Sequence, residues 1–448
     1  MRRDKGINMY IDYKQSFRRR GRGGGSILLR VLLVVVLAAG LGVGSYYAIK
    51  IQIDKENQGL GYEPKNIQNS DNKSAGADIA ASVNIIASNQ PEGEAASDET
   101  YLAEATPVLK EPDTRNPVRV KGIYVTAGGA GIDSIRNKLI NIAETTEINT
   151  LVIDVKDDNG KITYAMDSPL AKNVGAVTNT VSDMEELVKQ LREKDIYVIA
   201  RIVAFKDPYL AEQRHDLAIK NRDGSLYRDN KGECWVNPYN KEVWEYLVEV
   251  AAQAAATGFH EIQFDYIRFS TGAGMDQVDF GEEAETKSKE EVIIEFTKYA
   301  YEKLKPLGVF VAADVYGTII SSKIDAGLVG QNYVEMAKYL DYICPMIYPS
   351  HFGEGNYGVK YPDLEPFKII RKVLTASNEK LNQIPEGEHR AIVRPWLQDF
   401  TASWIRHYKE YGGAEVRQQI GGVYAAGYEE WLLWNAGCNY SEGGMLKE

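Results

Sequence analysis

From Arg119 onward, short apolar runs alternate with longer segments in which apolar positions recur every three to four residues. The runs are VKGIYVTA (120–127), NTLVIDVK (149–156), IYVIARIVAF (196–205), EIQFDYIRF (261–269), VFVAADVYG (309–317), YICPMIYPS (342–350), AIVRPWLQDF (391–400) and IGGVYAAGY (420–428). Each is rich in Val, Ile, Tyr and Phe, as expected of parallel strands buried on both faces. Between them, DMEELVKQLREKDI (183–196) gathers Met184, Leu187, Val188 and Leu191 on one helical face. The segment 241–258 closes on Gly258 as a C-cap, and 289–308 stops at Pro306 and Gly308. Repeated β–α units with right-handed crossovers leave a closed (β/α)8 barrel or an open doubly wound sheet. The count of eight favours the α/β class with a (β/α)8 TIM barrel, whose strand ends converge on one mouth. A doubly wound dinucleotide fold wants Gly-x-Gly-x-x-Gly after its first strand. Ala127-Gly-Gly-Ala-Gly131 lacks that spacing and reads as a tight loop over the mouth.

The first fifty residues have a different texture. Residues 1–26 form a basic tail with Arg18, Arg19, Arg20 and Arg22, and 27–51 carry an apolar stretch that is free of charge from Val31 to Ile49. Those 19 positions span about 28 Å as a helix, close to the roughly 30 Å of a hydrocarbon core. Arginines before the segment put the N-terminus in the cytoplasm and the rest outside. The expectation is one N-terminal transmembrane signal anchor in the cell membrane, with a cleaved signal peptide as the competing reading. Residues 52–115 are polar and short of aromatics, so they read as a flexible extracellular linker, and 116–448 as the barrel domain.

Composition narrows the chemistry. Lys+Arg 52 against Asp+Glu 63 gives a net charge of -11, which disfavours nucleic acid as a partner. Three cysteines, none before Cys234, cannot form a disulfide framework. Five histidines without a zinc-binding spacing, no Gly-x-Ser-x-Gly elbow and no phosphate loop leave neither a metal nor a cofactor expected. Carboxylates at strand ends remain.

In the fourth run Gln263 and Asp265 share a face, and in the fifth Ala312, Asp314 and Tyr316 do. An ionised carboxylate ending an apolar strand is costly unless it is paired or acts on a ligand. An Asp265–Arg268 ion pair pinning the loop is the bland reading. The sharp one is two catalytic carboxylates, Asp265 and Asp314, on neighbouring strands about 5 Å apart at the backbone. That is the minimal machinery for glycoside hydrolysis: one group protonates the leaving oxygen, the other attacks or activates water. Proximity keeps one of them protonated. Adjacent strands weakly favour the shorter spacing of a retaining enzyme. Asp154 and Lys156 in the second run are placed on one face, either as a structural pair or to orient a sugar hydroxyl. Arg201 is the charged residue of the third run, counted with those that face the mouth. Asp157 and Asp158 before Asn159-Gly160 read as a solvated turn. Tyr316, Tyr348, Trp396 and Tyr428, with Phe205, Tyr266 and Phe269, lie where loops leave strands and can stack on sugar rings or simply fill the core. Trp396 and Gln398 share a face as a sugar-binding pair, and His351 lies just beyond the sixth run.

The segments LVIDVKDDNG, EIQFDYIRFS, VFVAADVYG, CPMIYPSHF and RPWLQDF resemble a bacterial family of glycoside hydrolases within the glycosidase TIM-barrel superfamily. The resemblance covers roughly 118–440 and implies a carbohydrate substrate, a polysaccharide or oligosaccharide. It puts Asp265 at the nucleophile position of α-glycosidase-type barrels, with Gln263 where some relatives carry arginine. Asp314 stands where the acid is usually Glu. GYEEWLLWNAGCNY looks like the closing strand-to-helix segment, which makes Glu429 and Glu430 reserve acids. Two functions compete: a membrane-anchored hydrolase of a cell-wall or extracellular polysaccharide, and a catalytically inactive barrel that binds wall glycan as a scaffold.

Overall fold

The computed structural model describes residues 113 and 115–446. The basic tail, the apolar segment and most of the linker lie outside the described residues. Among those described, no helix is long and apolar enough to cross a membrane.

Eight parallel strands close into a barrel: β1 (Lys121–Val125), β2 (Thr150–Lys156), β3 (Tyr197–Val203), β4 (Glu261–Asp265), β5 (Phe310–Tyr316), β6 (Tyr342–Met346), β7 (Trp396–Gln398) and β8 (Trp431–Trp434). Each pairs with the next in sequence, Met346 against Trp396 joins β6 to β7, and Gly122 against Leu432 joins β8 back to β1. Seven crossover helices cover the outside: α1 (Asp133–Thr145), α2 (Met184–Glu193), α3 (Lys241–Thr257), α4 (Lys289–Leu304), α5 (Lys323–Val329), α6 (Pro366–Leu381) and α7 (Gly413–Ala425). Local chemistry fixes their ends. Asn240 caps α3 at its start, and Gly258, at φ 106, ends it. Ser288 and Glu291 form a capping box on α4, whose last turn runs through Pro306 to Gly308 at φ 80.

Two of the expected strands differ. The seventh run is split, because Pro395 has no N–H to donate to the ladder. Ile392–Val393 pairs with the start of β6, and only Trp396–Gln398 continues beside β8. The run 420–428 is not a strand: its first residues complete α7, and the eighth strand is the WLLW segment that follows. A nine-residue apolar run interrupted by glycines has no periodicity to separate buried helix from buried strand. The Ala127–Gly131 segment forms one helical turn capped by Thr126 rather than a loop. A Cβ on Gly131 would meet the Thr180 carbonyl oxygen at 2.1 Å, so its glycine serves close packing.

The core has two layers. Outward-facing residues such as Ile262, Phe264 and Val311 pack against the helices, while Val152, Ile199, Ala312, Cys344 and Leu432 fill the barrel interior. Buried charge bounds that interior at both ends. At the base, Arg394 donates to Glu261 at 2.7 Å and to Glu430 at 2.8 Å. Glu261 is pushed up to about 7, by burial first and against the pull of Arg394. The mouth holds the other charged cluster.

Candidate active site

The mouth is organised around Arg201, which rises from β3 into the barrel and is fully buried. Its Nη1 donates to Asp154 Oδ1 at 2.7 Å, its Nη2 to Asp265 Oδ2 at 2.5 Å and to Asp158 Oδ1 at 3.2 Å, and its Nε to Asp265 Oδ2 at 3.0 Å. The backbone N–H of Tyr266 holds Asp265 Oδ1 at 2.6 Å. Tyr266 sits at φ 50, a left-handed conformation that costs a non-glycine residue roughly 1–2 kcal/mol. The strain lies directly beside the candidate nucleophile. Tyr124 donates to Asp154 Oδ2 at 2.6 Å and stacks on Trp434 at 4.0 Å, with the Arg201 guanidinium 5.3 Å from each ring. Burial raises the Asp154 carboxyl to about 6, against the opposing charge of Arg201.

Asp314 completes the set. Phe264 pairs with Ala313, so Asp265 and Asp314 are the next residues on neighbouring strands. The indole N–H of Trp396 donates to Asp314 Oδ1 at 2.6 Å. Burial, and then the negative charge of Asp265, push the Asp314 carboxyl well above the usual carboxylate range. Arg201 already faces three carboxylates, and its charge offsets that push only in part. Asp265 is 6% exposed and Asp314 2%.

The other sequence candidates separate into those at the mouth and those elsewhere. Lys156 is not on the face of Asp154. A bulge between the two residues shifts the register against β3, so that Asp154 pairs with Arg201 and Lys156 with Ile202. Lys156 therefore turns outward, where it is fully buried against Asp207 at 2.8 Å and the Val203 carbonyl at 2.7 Å. Arg268 does not pair with Asp265. It donates to the Phe269 carbonyl and lies among the rings of Trp235, Tyr266 and Tyr316, 4.6 Å from the last. Gln263 is buried one layer below the carboxylates and donates to Cys344 Sγ at 3.2 Å.

Gln398 is saturated by protein. Its Oε1 accepts from the backbone and hydroxyl of Ser350, and its Nε2 donates to Asp363 and the Phe400 carbonyl. It stitches the loops after β6 and β7 together and has nothing left for a sugar. Tyr348 and His351 are buried in the first of those loops, ring centroids 4.9 Å apart. Phe205 and Phe269 pack outward, on Phe296 and Phe280. Tyr428 bonds Ser377 of α6, away from the mouth. Glu429 and Glu430 lie before β8, at the base: Glu429 is exposed and paired with Arg119, and Glu430 holds Arg394. That removes both as acids, because they are at the opposite end from Asp265.

Sequence reasoning missed Tyr124, Asp158 and Trp434. Tyr124 was legible by period two along the first run, but a tyrosine there is ordinary core. Asp158 looked like turn polarity until the loop brought it onto Arg201. Trp434 ends a strand that was placed too early.

The family described as "Putative glycosyl hydrolase domain" matches residues 122–440. Among curated proteins, no sequence matches the chain. Among solved structures, a hypothetical protein from Ruminiclostridium thermocellum ATCC 27405 is 39% identical, covering 43% of this chain and 97% of its own, with a TM-score of 0.40. The PgaB (BpsB) glycoside hydrolase domain from Bordetella bronchiseptica is 12% identical over 74% of this chain and 100% of its own, with a TM-score of 0.50. The endo-1,4-beta-D-mannanase of Thermotoga petrophila RKU-1 is 13% identical over 71% and 88%, with a TM-score of 0.48.

Proposed function

From the premise that the chain belongs to this family of glycosyl hydrolase domains, we propose that its barrel mouth cleaves O-glycosidic bonds of a cell-wall or extracellular polysaccharide. In this reading, Asp314 is the general acid and protonates the leaving oxygen. Asp265, kept in place by Arg201 and the Tyr266 N–H, is the nucleophile or the base that activates water. The carrying observation is the asymmetry of the pair: one aspartate bonded to a buried arginine, its neighbour driven towards the protonated form by burial and by that same aspartate. Two carboxyls whose surroundings push them apart are what acid and nucleophile assignments require. The apolar stretch 27–51 supplies a membrane anchor, with the N-terminus cytoplasmic and the barrel outside.

The low exposure of Asp314 favours a second reading, a barrel that binds glycan without cleaving it. The two separate on a panel of polysaccharides and oligosaccharides. Hydrolysis by the wild type, lost in both Asp265→Asn and Asp314→Asn, supports the enzyme. Glycan binding without turnover by any of the three supports the scaffold.

A further inference from the structure

Arg268 has no carboxylate partner among the described residues, although it sits close to the candidate pair. It stands three residues beyond Asp265, in the loop that leaves β4, and is 7% exposed. Its guanidinium carbon lies 4.6 Å from the Tyr316 ring, 4.9 Å from Tyr266 and 5.0 Å from Trp235. Tyr266 follows Asp265 directly, and Tyr316 stands two residues beyond Asp314. The buried Gln331 ties this loop to the end of β5. Its Nε2 donates to the Ile267 carbonyl at 3.2 Å and to the Asp314 carbonyl at 3.3 Å, and its Oε1 accepts from the Tyr316 N–H at 3.0 Å. The backbone that carries the guanidinium is thus fastened to the strand that carries Asp314.

The donors still open on Arg268 decide what it can bind. Nη1 donates to the Phe269 carbonyl at 2.8 Å. Nε and Nη2 reach no acceptor among the described residues, and neither is a sealed, unsatisfied atom, so that edge of the guanidinium touches solvent. The Nε–Nη2 edge is the one this chain turns on carboxylates elsewhere: Arg115 on Asp113, Arg214 on Asp216 and Arg201 on Asp265. Two parallel N–H groups match a carboxylate in spacing and in charge. A guanidinium withdrawn from most of its water without an anion is unfavourable, and ring faces offset this only in part. The neighbouring cations are already engaged. Lys206 is buried against Glu233 at 2.9 Å, and Arg201 is shared by three aspartates. A sugar carboxylate entering a mouth of aspartates therefore has Arg268 to meet.

We infer that Arg268 selects an acidic glycan: its Nε–Nη2 edge receives the carboxylate borne by a sugar ring at the mouth, as a uronic acid or as a lactyl ether. This rests on the glycan reading of the mouth and gives that reading a substrate class. A neutral sugar leaves the edge to water and gains nothing from it.

The test uses the full chain carrying Asp265→Asn, so that ligands survive, with calorimetric titration at low and at high salt. The probes are short oligomers of α-1,4-galacturonate, β-1,4-glucuronate and β-1,4-mannuronate, and a peptide-free strand of alternating N-acetylglucosamine and N-acetylmuramic acid. Each is paired with its carboxyl-reduced, neutral form. At least one acidic probe is expected to bind about tenfold or more tighter than its reduced form, by a margin that shrinks as salt rises. Whether the uronates or the muramate strand show that margin identifies the source of the carboxylate. Arg268→Gln is expected to erase the margin and leave affinity for the neutral form as before. Arg268→Lys, which keeps the charge without the fork, is expected to retain only part of it, and it carries the comparison alone if Arg268→Gln melts too low to titrate. Equal affinity of the parent chain for the acidic and reduced forms of every probe overturns the inference. So does a margin that both variants preserve, or no binding of any probe. Turnover by the chain with Asp265 intact keeps the outcomes apart. Hydrolysis that is indifferent to Arg268 and to the carboxylate removes the acid specificity and leaves the enzyme. An Arg268-dependent margin in binding, without hydrolysis, removes the enzyme and leaves the carboxylate site.

Discussion

Asp314 draws its proposed role from its surroundings rather than from its residue type. Burial disfavours its ionised form, Asp265 disfavours it further, and the Trp396 N–H only partly offsets both. General-acid chemistry follows from that, and so does a stability cost. A carboxyl whose folded pKa is raised contributes stability below its unfolded value near 3.8, and that stability is lost as pH rises towards the folded value. Asn at 314 keeps an acceptor for Trp396 and never ionises. Asp314→Asn is therefore expected to melt higher than wild type at pH 7 and equally at pH 3, as followed by thermal denaturation across that range. Its kcat/KM is expected to fall by about 10²–10⁴ on substrates with poor leaving groups, and much less on an activated aryl glycoside, which needs no proton. Equal losses on both substrates would remove Asp314 as the acid. Wild-type turnover is expected to decline on the alkaline side as Asp314 ionises, and that limb to vanish in the variant when the aryl substrate is used.

One extra residue in a strand decides which side chains reach the mouth. The bulge between Asp154 and Lys156 turns the lysine out of the barrel and into a buried pair with Asp207, which also caps the Pro208–Gln213 helix. Lys156→Met leaves Asp207 as an uncompensated buried charge, so a loss of about 3–5 kcal/mol is expected in denaturant unfolding. The kcat/KM of the protein that remains folded is expected to stay within a few-fold of wild type, because the ammonium touches nothing at the mouth. A collapse of kcat/KM with normal stability would place Lys156 on the substrate instead. The bulge also marks the limit of what the pattern could reveal. Strand identity was legible for seven of the eight runs, since continuous Val, Ile and Tyr stretches survive any local irregularity. Facing was legible only where strands were regular, so Asp265 and Asp314 were placed correctly beside each other while Lys156 was not. Strand β8 escaped because four residues, WLLW, are too short to outweigh the longer glycine-containing run before them. The Arg201 network escaped for a different reason: nothing local in IYVIARIVAF says which three aspartates, up to 64 residues away, its guanidinium will meet.

Within the barrel interior, buried charge lies at the two ends, and the ends differ. The mouth gathers one arginine and several aspartates, with strain at Tyr266 and an unsatisfied His351. The base pairs Arg394 with Glu261 and Glu430 and is closed by the chain's approach to β1. There Arg115 donates to both oxygens of Asp341 at 2.7 Å and to the Val309 carbonyl at 2.7 Å, and its guanidinium lies 4.3 Å from the Phe310 ring. Asp341 also accepts from the Val311 N–H at 2.9 Å, so Arg115 fastens the entering chain to the start of β5. Asp113 and Arg115 thus pack on the barrel, although their composition belongs to the linker. On this arrangement Arg115 serves stability and has no part in turnover. Arg115→Ala removes a bidentate ion pair that is largely shielded from water, and a loss of about 2–4 kcal/mol is expected, read as a fall in melting temperature of several degrees. The kcat/KM of the folded protein should not change, since the network around Arg201 lies at the far end. If the melting temperature stayed constant, the segment before residue 116 would be a passive spacer after all. If kcat/KM fell with it, the base and the mouth would be coupled through the barrel interior.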